Sequence, residues 1–441
     1  MRIKSDLLLQ HRLRRGWTQE ETAEKIGIDA RTYRRYERGE VAVTHRVGQF
    51  EILRCIAKVF ELAGPTEIME SESIEQMRPS IGDRQHNSIQ LIVSVAGRHK
   101  EAYPPDAPFD AAWYVHREPE ETEALNKLRT AVAPVVLQGP HLIGKGYLLS
   151  YLIEQVINHR LWSKAPCTVI RLNAAALDRE CLSSLDALLR ALGRAALEQT
   201  DPEGAECCLQ DIWNHPGSEK TKISRLLKQY FLAKGSVLLV LEKVERLHGC
   251  SFQDDFFALL RGWTESGTTE PWSRLRLLLT IATEPTLLDS IDHSSFFALA
   301  NPIRLGYLAR VQIDQMATMY GISIKSAALD QLEALTSGHP YLTRLALYQA
   351  AVREVRLEQI LSCAHDAGVF AYHLKSLQRW IEEQQLLPML TSILDNPTCR
   401  LTFKDYCRLY SHGLIVEDSA GVFRLRCPLY TQYFESLRRI R

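Results

Sequence analysis

The run Val135-Val-Leu-Gln-Gly139-Pro-His-Leu-Ile-Gly144-Lys145-Gly146 carries a short apolar strand straight into G-x-x-x-x-G-K. In such a loop the glycines let backbone N–H groups wrap a phosphate, the lysine lies along the β/γ oxygens, and the following helix offers its positive end. Gly139, Gly144, Lys145 and Gly146 are therefore candidate nucleotide-binding residues. Gly146 stands where a Ser or Thr hydroxyl normally ligates Mg²⁺, so the run reads as a phosphate cradle without strong magnesium-dependent chemistry. The alternative is a turn that no longer binds anything; retention of both glycines and the lysine argues against it.

Outward from this loop, strand-like and helix-like segments alternate. Apolar strands are expected at Val135–Leu137, Thr168–Leu172, Val237–Leu241 and Leu277–Ala282, with amphipathic helices between them. That alternation predicts an α/β core with a parallel sheet. The third strand ends in Glu242-Lys243-Val244-Glu245, where phosphate-loop ATPases commonly have Asp-Glu. Glu242 remains as a candidate catalytic and Mg²⁺-holding acid, while a cation occupies the position of the water-activating base. A lysine does not polarise water as a carboxylate does, and it opposes a nearby divalent cation. Thr280 and Thr283, near the end of the fourth strand, stand in the place of a polar sensor of the γ-phosphate. Residues 304–385 are helical by period, and a Gly338-His-Pro340 turn separates two amphipathic runs. Beyond Leu401 the order helix, hairpin, helix is a winged-helix pattern.

The chain has 441 residues, 46% of them apolar and 24% charged, which is the balance of folded domains and excludes disorder and collagen. Its apolar runs fall far short of the roughly 20 residues that cross a bilayer, and the N-terminus lacks a signal-peptide core, so a cytoplasmic, nucleoid-associated protein without a membrane partner is expected. The ten Cys form no C-x-x-C and the fourteen His no H-E-x-x-H, which leaves reduced thiols and no zinc site. The net charge of zero conceals a pattern: residues 1–64 hold 13 basic and 9 acidic residues and 398–441 hold 8 and 4, leaving the centre with 32 and 40. Basic ends around an acidic body point to a nucleic-acid-facing module.

Residues 1–64 read as five short helices. Thr18 and Glu21 form a capping box that opens one helix; Gly27 ends it and Asp29 caps the next. On that second helix Arg31, Arg34, Arg35 and Arg38 share one stripe, with Tyr33 and Tyr36 on the other side. The pattern from Thr18-Gln19-Glu20-Glu21 through Ile26-Gly27-Ile28-Asp29 to Tyr36-Glu37-Arg38-Gly39 resembles the Cro/phage-repressor (XRE-type) helix-turn-helix family. The resemblance implies operator contacts from Gln19, Ala30, Arg31, Thr32 and Arg34, with Arg35 and Arg38 completing the basic face on double-stranded DNA. Thr22 departs from the leucine usual at its position.

The remainder resembles bacterial AAA-like domains allied to the STAND class of P-loop NTPases. The residues that carry this are Tyr114-Val-His-Arg117, the degenerate loop, Glu242 to Leu247, Phe256 to Arg261, Thr283-Glu-Pro285, and Gly338-His-Pro-Tyr-Leu342. It implies ATP or ADP as cofactor, with or without Mg, and places Gly338 and Pro340 of a helical lid near it. The expected order is a helix-turn-helix domain at 1–64, a linker at 65–112, an NTPase core at 113–303, a lid at 304–390 and a winged helix at 391–441. Together these imply a DNA-binding transcriptional regulator, homo-oligomeric on half-sites and open to a protein effector, with impaired hydrolysis. The rival is an active ATPase or nucleotide-sensing component of a phage-defence or DNA-mobilisation system that uses the helix-turn-helix for docking.

Overall fold

The computed structural model describes Leu8, Arg12, residues 17–26, Ile28, 30–37, Ile56, Val59, 102–130, 133–288, 295–323, 327–362, 368–418 and 421–440. Gly27, Asp29, Arg38 and residues 65–101, on which several expectations fall, lie outside the described residues. The chain forms two compact units, Met1–Val95 and Ala96–Arg441.

In the first unit, helix α1 (Gln19–Ile26) is followed by α2 (Ala30–Glu37). The capping box is reciprocal: Thr18 N–H donates to Glu21 Oε2 (2.7 Å) and Glu21 N–H to Thr18 Oγ1 (3.1 Å), satisfying two otherwise unpaired donors. Ala23, Ile26 and Tyr33 are buried, as their spacing requires. Thr22 is fully buried too, and its hydroxyl is satisfied by the Thr18 carbonyl one turn back (2.8 Å), which explains how a polar residue occupies a leucine position.

The second unit opens with a 3₁₀ turn at Ala111–Trp113 and helix α3 (Glu118–Thr130). Strand β1 (Val135–Gln138) then leads into α4 (Lys145–His159). After β2 (Cys167–Asn173) come α5 (Leu185–Glu198), α6 (Ala205–Asn214) and α7 (Glu219–Leu226), then β3 (Ser236–Glu242). Helix α8 (Gln253–Glu265), β4 (Leu275–Ile281), α9 (Phe296–Ala300) and β5 (Ile303–Arg304) complete the core. The sheet is parallel throughout in the order β2-β3-β4-β1-β5. Along β3, Leu238 and Val240 pack with α3 and α4 on one face while Val237, Leu239 and Leu241 pack with α5, α7 and α8 on the other. Burial on both faces is why these strands are continuous apolar runs. The strand β5 crosses the 303/304 edge expected between core and lid, and pairs Ile303 with Leu137.

The last part is helical: α10 (Arg310–Met319), α11 (Ala327–Thr336), α12 (Pro340–Arg353), α13 (Leu357–Ser362), α14 (Ala371–Glu383) and α15 (Leu387–Asp395). Then α16 (Phe403–Ser411), the antiparallel pair β6 (Ile415–Glu417) and β7 (Phe423–Leu425), and α17 (Pro428–Ile440) close the chain. One apolar cluster joins these helices to Trp113 and Val115. The eight cysteines among the described residues are free thiols, and no helix there is long and apolar enough to cross a membrane.

Gly338 joins α11 to α12 with φ +71°, and a Cβ on it would stand 2.3 Å from the Leu308 carbonyl oxygen. Its own carbonyl accepts from Leu308 N–H (2.9 Å), so the close approach ties the start of α12 to the segment after β5. Gly338→Ala is expected to destabilise the second unit by more than about 1 kcal/mol, read as a lower urea midpoint at unchanged m-value.

Candidate functional site

At the carboxyl edge of β1, β3 and β4 lies a cavity of about 410 Å³, within the range of small-molecule sites. Its polar lining includes Gly144, Lys145 and Gly146 at the start of α4, Glu242, Lys243 and Glu245 around the end of β3, Thr280 of β4, and Asp106. Its apolar lining includes Pro105, Ala107, Val115, Leu308, Met316 and Pro340. Residues 102–110, assigned to the linker by composition, pack on this core, where Tyr147 donates to the Ala107 carbonyl (3.2 Å) and Tyr103 stacks on Trp113.

The loop after β1 is held in shape from outside. Gly144 takes φ +97°, which glycine adopts freely, and Leu142 takes φ +63°, a strained conformation for leucine. The buried Arg117 guanidinium donates to Ile143 O (2.8 Å) and Gly306 O (2.9 Å), pinning the loop to the segment after β5. Lys145 Nζ donates to the carbonyls of Gly139 (2.5 Å) and Pro140 (2.9 Å). Burial, aided by the Lys243 charge and opposed by Glu245, pushes the Lys145 ammonium down to about 8. Burial likewise raises the Glu245 carboxyl, although the Lys145 and Lys243 charges and the Ala282 N–H (3.1 Å) pull it back.

The expected site residues are divided by this geometry. Gly144, Lys145, Gly146, Glu242 and Pro340 line the cavity. Gly139 contributes its carbonyl to Lys145, and Gly338 braces Leu308, without lining it. Of the two threonines, Thr280 lines it and accepts from Lys243 N–H (2.9 Å), whereas Thr283 is buried away from the lining with its carbonyl accepting from Gln138. The Glu242 carboxylate is committed to Arg171 of β2 (2.7 and 3.2 Å). Glu245, turned inward by the 3₁₀ turn Val244–Leu247, is the acid nearest the lysine pair in electrostatic effect.

Arg344 was not singled out from sequence. It is 7% exposed, donates through Nη2 to the Trp113 carbonyl (2.8 Å), lies over the Tyr147 ring at 4.9 Å, and has its Nη1 buried without a hydrogen-bond partner. It lines the cavity from α12, one turn beyond Pro340 on the same helix face. The cavity thus offers positive charge to an anion and an aromatic-flanked guanidinium to a flat ring. It suits Mg²⁺ poorly: Gly146 has no hydroxyl, Glu242 is paired, and Lys243 brings an ammonium. Among the described residues no three His, Cys, Asp or Glu stand close enough to hold a metal ion.

In the first unit, Arg31 and Arg35 are exposed and Arg34 is partly so, paired with Glu20 of α1. Ala30 and Thr32 are half-buried at the start of α2. The Gln19 amide donates to Glu37, a buried carboxylate that also accepts from Arg12 Nε (2.6 Å). One carboxylate therefore fixes both the helix pair and the Gln19 side chain.

A five-stranded parallel sheet with a glycine-lysine loop between β1 and α4 defines a P-loop NTPase core. The family model described as "AAA-like domain" matches residues 104–436, and the chain belongs to that family. A second model, "Helix-turn-helix", matches residues 8–45, so a helix-turn-helix DNA-binding domain precedes an AAA-like ATPase fold. Among solved structures, a Walker-type ATPase of Pyrococcus abyssi is similar at 12% identity and TM-score 0.49, over 73% of this chain and 96% of that one. The Aeropyrum pernix ORC2 protein, in ADPNP–ADP complexes, is similar at 14% identity and TM-score 0.43, over 78% and 97%. Domain III of the Thermotoga maritima replication initiation protein DnaA is similar at 13% identity and TM-score 0.35, over 57% and 95%. No curated protein matches the sequence.

Removing Glu37 leaves the part-buried Arg12 without its carboxylate and with the Trp17 carbonyl to accept from it. Glu37→Ala is expected to cost the first unit about 3 kcal/mol or more, seen as a lowered unfolding midpoint for that unit by circular dichroism.

Proposed function

We propose that this protein is a DNA-binding transcriptional regulator whose AAA-like domain is a STAND-like nucleotide switch with impaired hydrolysis. The observation that carries the reading is Lys243: an ammonium lines the phosphate end of the cavity where a water-activating carboxylate belongs. A lysine there leaves ground-state attraction for phosphate while removing the group that orients attacking water. ADP or ATP would lie with its phosphates along the Gly144–Gly146 amides, Lys145 and Lys243, and its base against Val115, Met316 and Pro340, where Arg344 Nη1 would find an acceptor.

In this reading residues 1–64 read DNA, the stretch up to 101 links, 102–303 hold nucleotide, 304–390 form the lid and 391–441 a winged helix. The exposed Arg31 and Arg35 supply phosphate and base-edge contacts together with Arg34, Gln19, Ala30 and Thr32, and Arg38, outside the described residues, adds to them by its sequence position. Helix-turn-helix modules gain affinity by pairing on half-sites, so oligomerisation of the second unit would set DNA affinity and a protein effector could bias it. The mechanical route is the contact of the loop with the last subdomain, where His141 N–H donates to the Ser411 carbonyl (2.8 Å).

Denaturing the purified protein and assaying the supernatant is expected to release ADP or ATP, and Lys145→Ala to abolish that. Phosphate release is expected well below about 1 per second; a faster, Lys145-dependent rate would make the protein an ATPase in its own right. On the DNA side, Arg31→Ala is expected to weaken specific binding by about 1–3 kcal/mol and Arg35→Ala to flatten its salt dependence.

Lys145 also sets a pH dependence. Its ammonium is already low at about 8 without an anion, and a bound phosphate must raise it. Binding therefore keeps full strength below pH 8, weakens as pH rises through and above that value, and takes up protons there. Calorimetry with ADP in buffers of differing ionisation enthalpy measures that uptake.

A further inference from the structure

The cations of this cavity stand where metal chemistry would otherwise be. Lys243 is held by its backbone: φ is +55°, an uncommon conformation for a lysine, and its N–H is fixed on Thr280 Oγ1 at 2.9 Å. Lys243, exposed, lines the same cavity as Lys145, and its charge acts on the Lys145 ammonium. The acids after β3 are each partly engaged, Glu242 through Oε1 by Arg171 at 2.7 Å and Glu245 through Oε2 by the Ala282 N–H at 3.1 Å. Gly146 lacks the hydroxyl ligand although nothing lies within 4 Å of where its Cβ would be, so a serine has room there and the loss is chemical, not steric. Mg²⁺ is held by oxygen ligands in near-octahedral array and dehydrates reluctantly, whereas an ammonium is a compact charge with three donors that needs no such cage.

Resting on the reading of this cavity as a nucleotide site, we propose that it holds nucleoside phosphates without a divalent cation, the Lys243 ammonium supplying the charge that Mg²⁺ supplies elsewhere. A triphosphate or diphosphate then meets two lysines, Lys145 and Lys243, with Arg117 bracing the loop behind them. Adding a divalent ion to this pair costs repulsion, and the carboxylates left in the lining to offset it are the exposed Asp106 and the oxygens of Glu242 and Glu245 not already hydrogen-bonded. The mutual repulsion already evident at Lys145, whose ammonium Lys243 helps to lower, is relieved by an anion between them and worsened by a cation.

The test is a titration of the full-length protein, stripped of bound nucleotide, with fluorescent ADP in excess Mg²⁺ and again in EDTA. Affinities agreeing within about twofold support the proposal, and Lys243→Ala is expected to weaken both by about tenfold, or 1.4 kcal/mol. The double variant Gly146→Ser, Lys243→Glu restores hydroxyl and carboxylate, and is expected to bind only with Mg²⁺. Loss of binding by the native protein in EDTA overturns the proposal while leaving the nucleotide site intact. Binding in neither condition overturns the nucleotide reading itself. Should the double variant not fold, the native comparison with and without EDTA decides alone.

Discussion

Positive charge gathered at the carboxyl edge of a buried parallel sheet is the constraint on which the rest of the second unit depends. Arg117, Lys145, Lys243 and Arg344 all line one cavity; of the three acids there, Glu242 bonds Arg171, Glu245 bonds a backbone amide, and Asp106 is exposed. Burying cations is costly unless they are hydrogen-bonded or paired. The fold meets this with carbonyls: Lys145 on Gly139 and Pro140, Arg117 on Ile143 and Gly306, Arg344 on Trp113. These bonds are also what give the loop after β1 its shape, so electrostatic satisfaction and loop geometry are one problem with one solution. The guanidinium nitrogen of Arg344 left without a partner is the exception, on a residue that lines the cavity.

The same contacts join the core to the helices beyond it. Arg117 and Arg344 each span more than 180 residues of sequence through hydrogen bonds, to Gly306 and Trp113. Gly338 meets Leu308 too closely for any side chain, which fixes the first turn of α12 and with it Pro340 and Arg344 against the cavity. At the far side, His141 stacks edge-on to His412 at 4.9 Å, and His412 lies flat on Trp380 at 3.4 Å. Burial keeps both imidazoles neutral, at about 3 and about 4, so this contact is packing and not charge. A change in the loop therefore has a short, uncharged path to α14 and α16.

Much of this was legible in the sequence, and the parts that were not have identifiable causes. The four long strands are apolar over their whole length because both faces are covered, and the phosphate loop is read from its glycines and lysine. The strand β5 escaped notice because two residues carry no periodicity. The acid positions were misleading because a motif counts residues and not directions. Register sets Glu242 opposite Asn173, beside Arg171 on the same face of β2, while a 3₁₀ turn rotates Glu245 inward. Arg344 could have been found: it lies four residues after Pro340, one helical turn along the same face. Glu37 could not, since its burial depends on Arg12 and Gln19 arriving from elsewhere in the first unit.

The zero net charge takes its meaning from these local arrangements. In the first unit Glu20 and Glu37 neutralise Arg34 and Arg12, so the three arginines described on α2 are not equivalent: Arg31 and Arg35 are exposed and Arg34 is paired. The +4 counted over residues 1–64 therefore does not say where the positive surface lies, since among the described residues Glu20, Glu21 and Glu37 are taken up by pairing and capping. The same is true of the second unit. A segment with eight more acids than bases still builds a cationic cavity, because many of its acids pair outward, as Asp186 with Arg190, Glu206 with Arg194 and Glu265 with Arg261. Charge that matters to a ligand is charge left over after such pairing. On that basis an acidic body can hold an anion and a neutral chain can approach DNA.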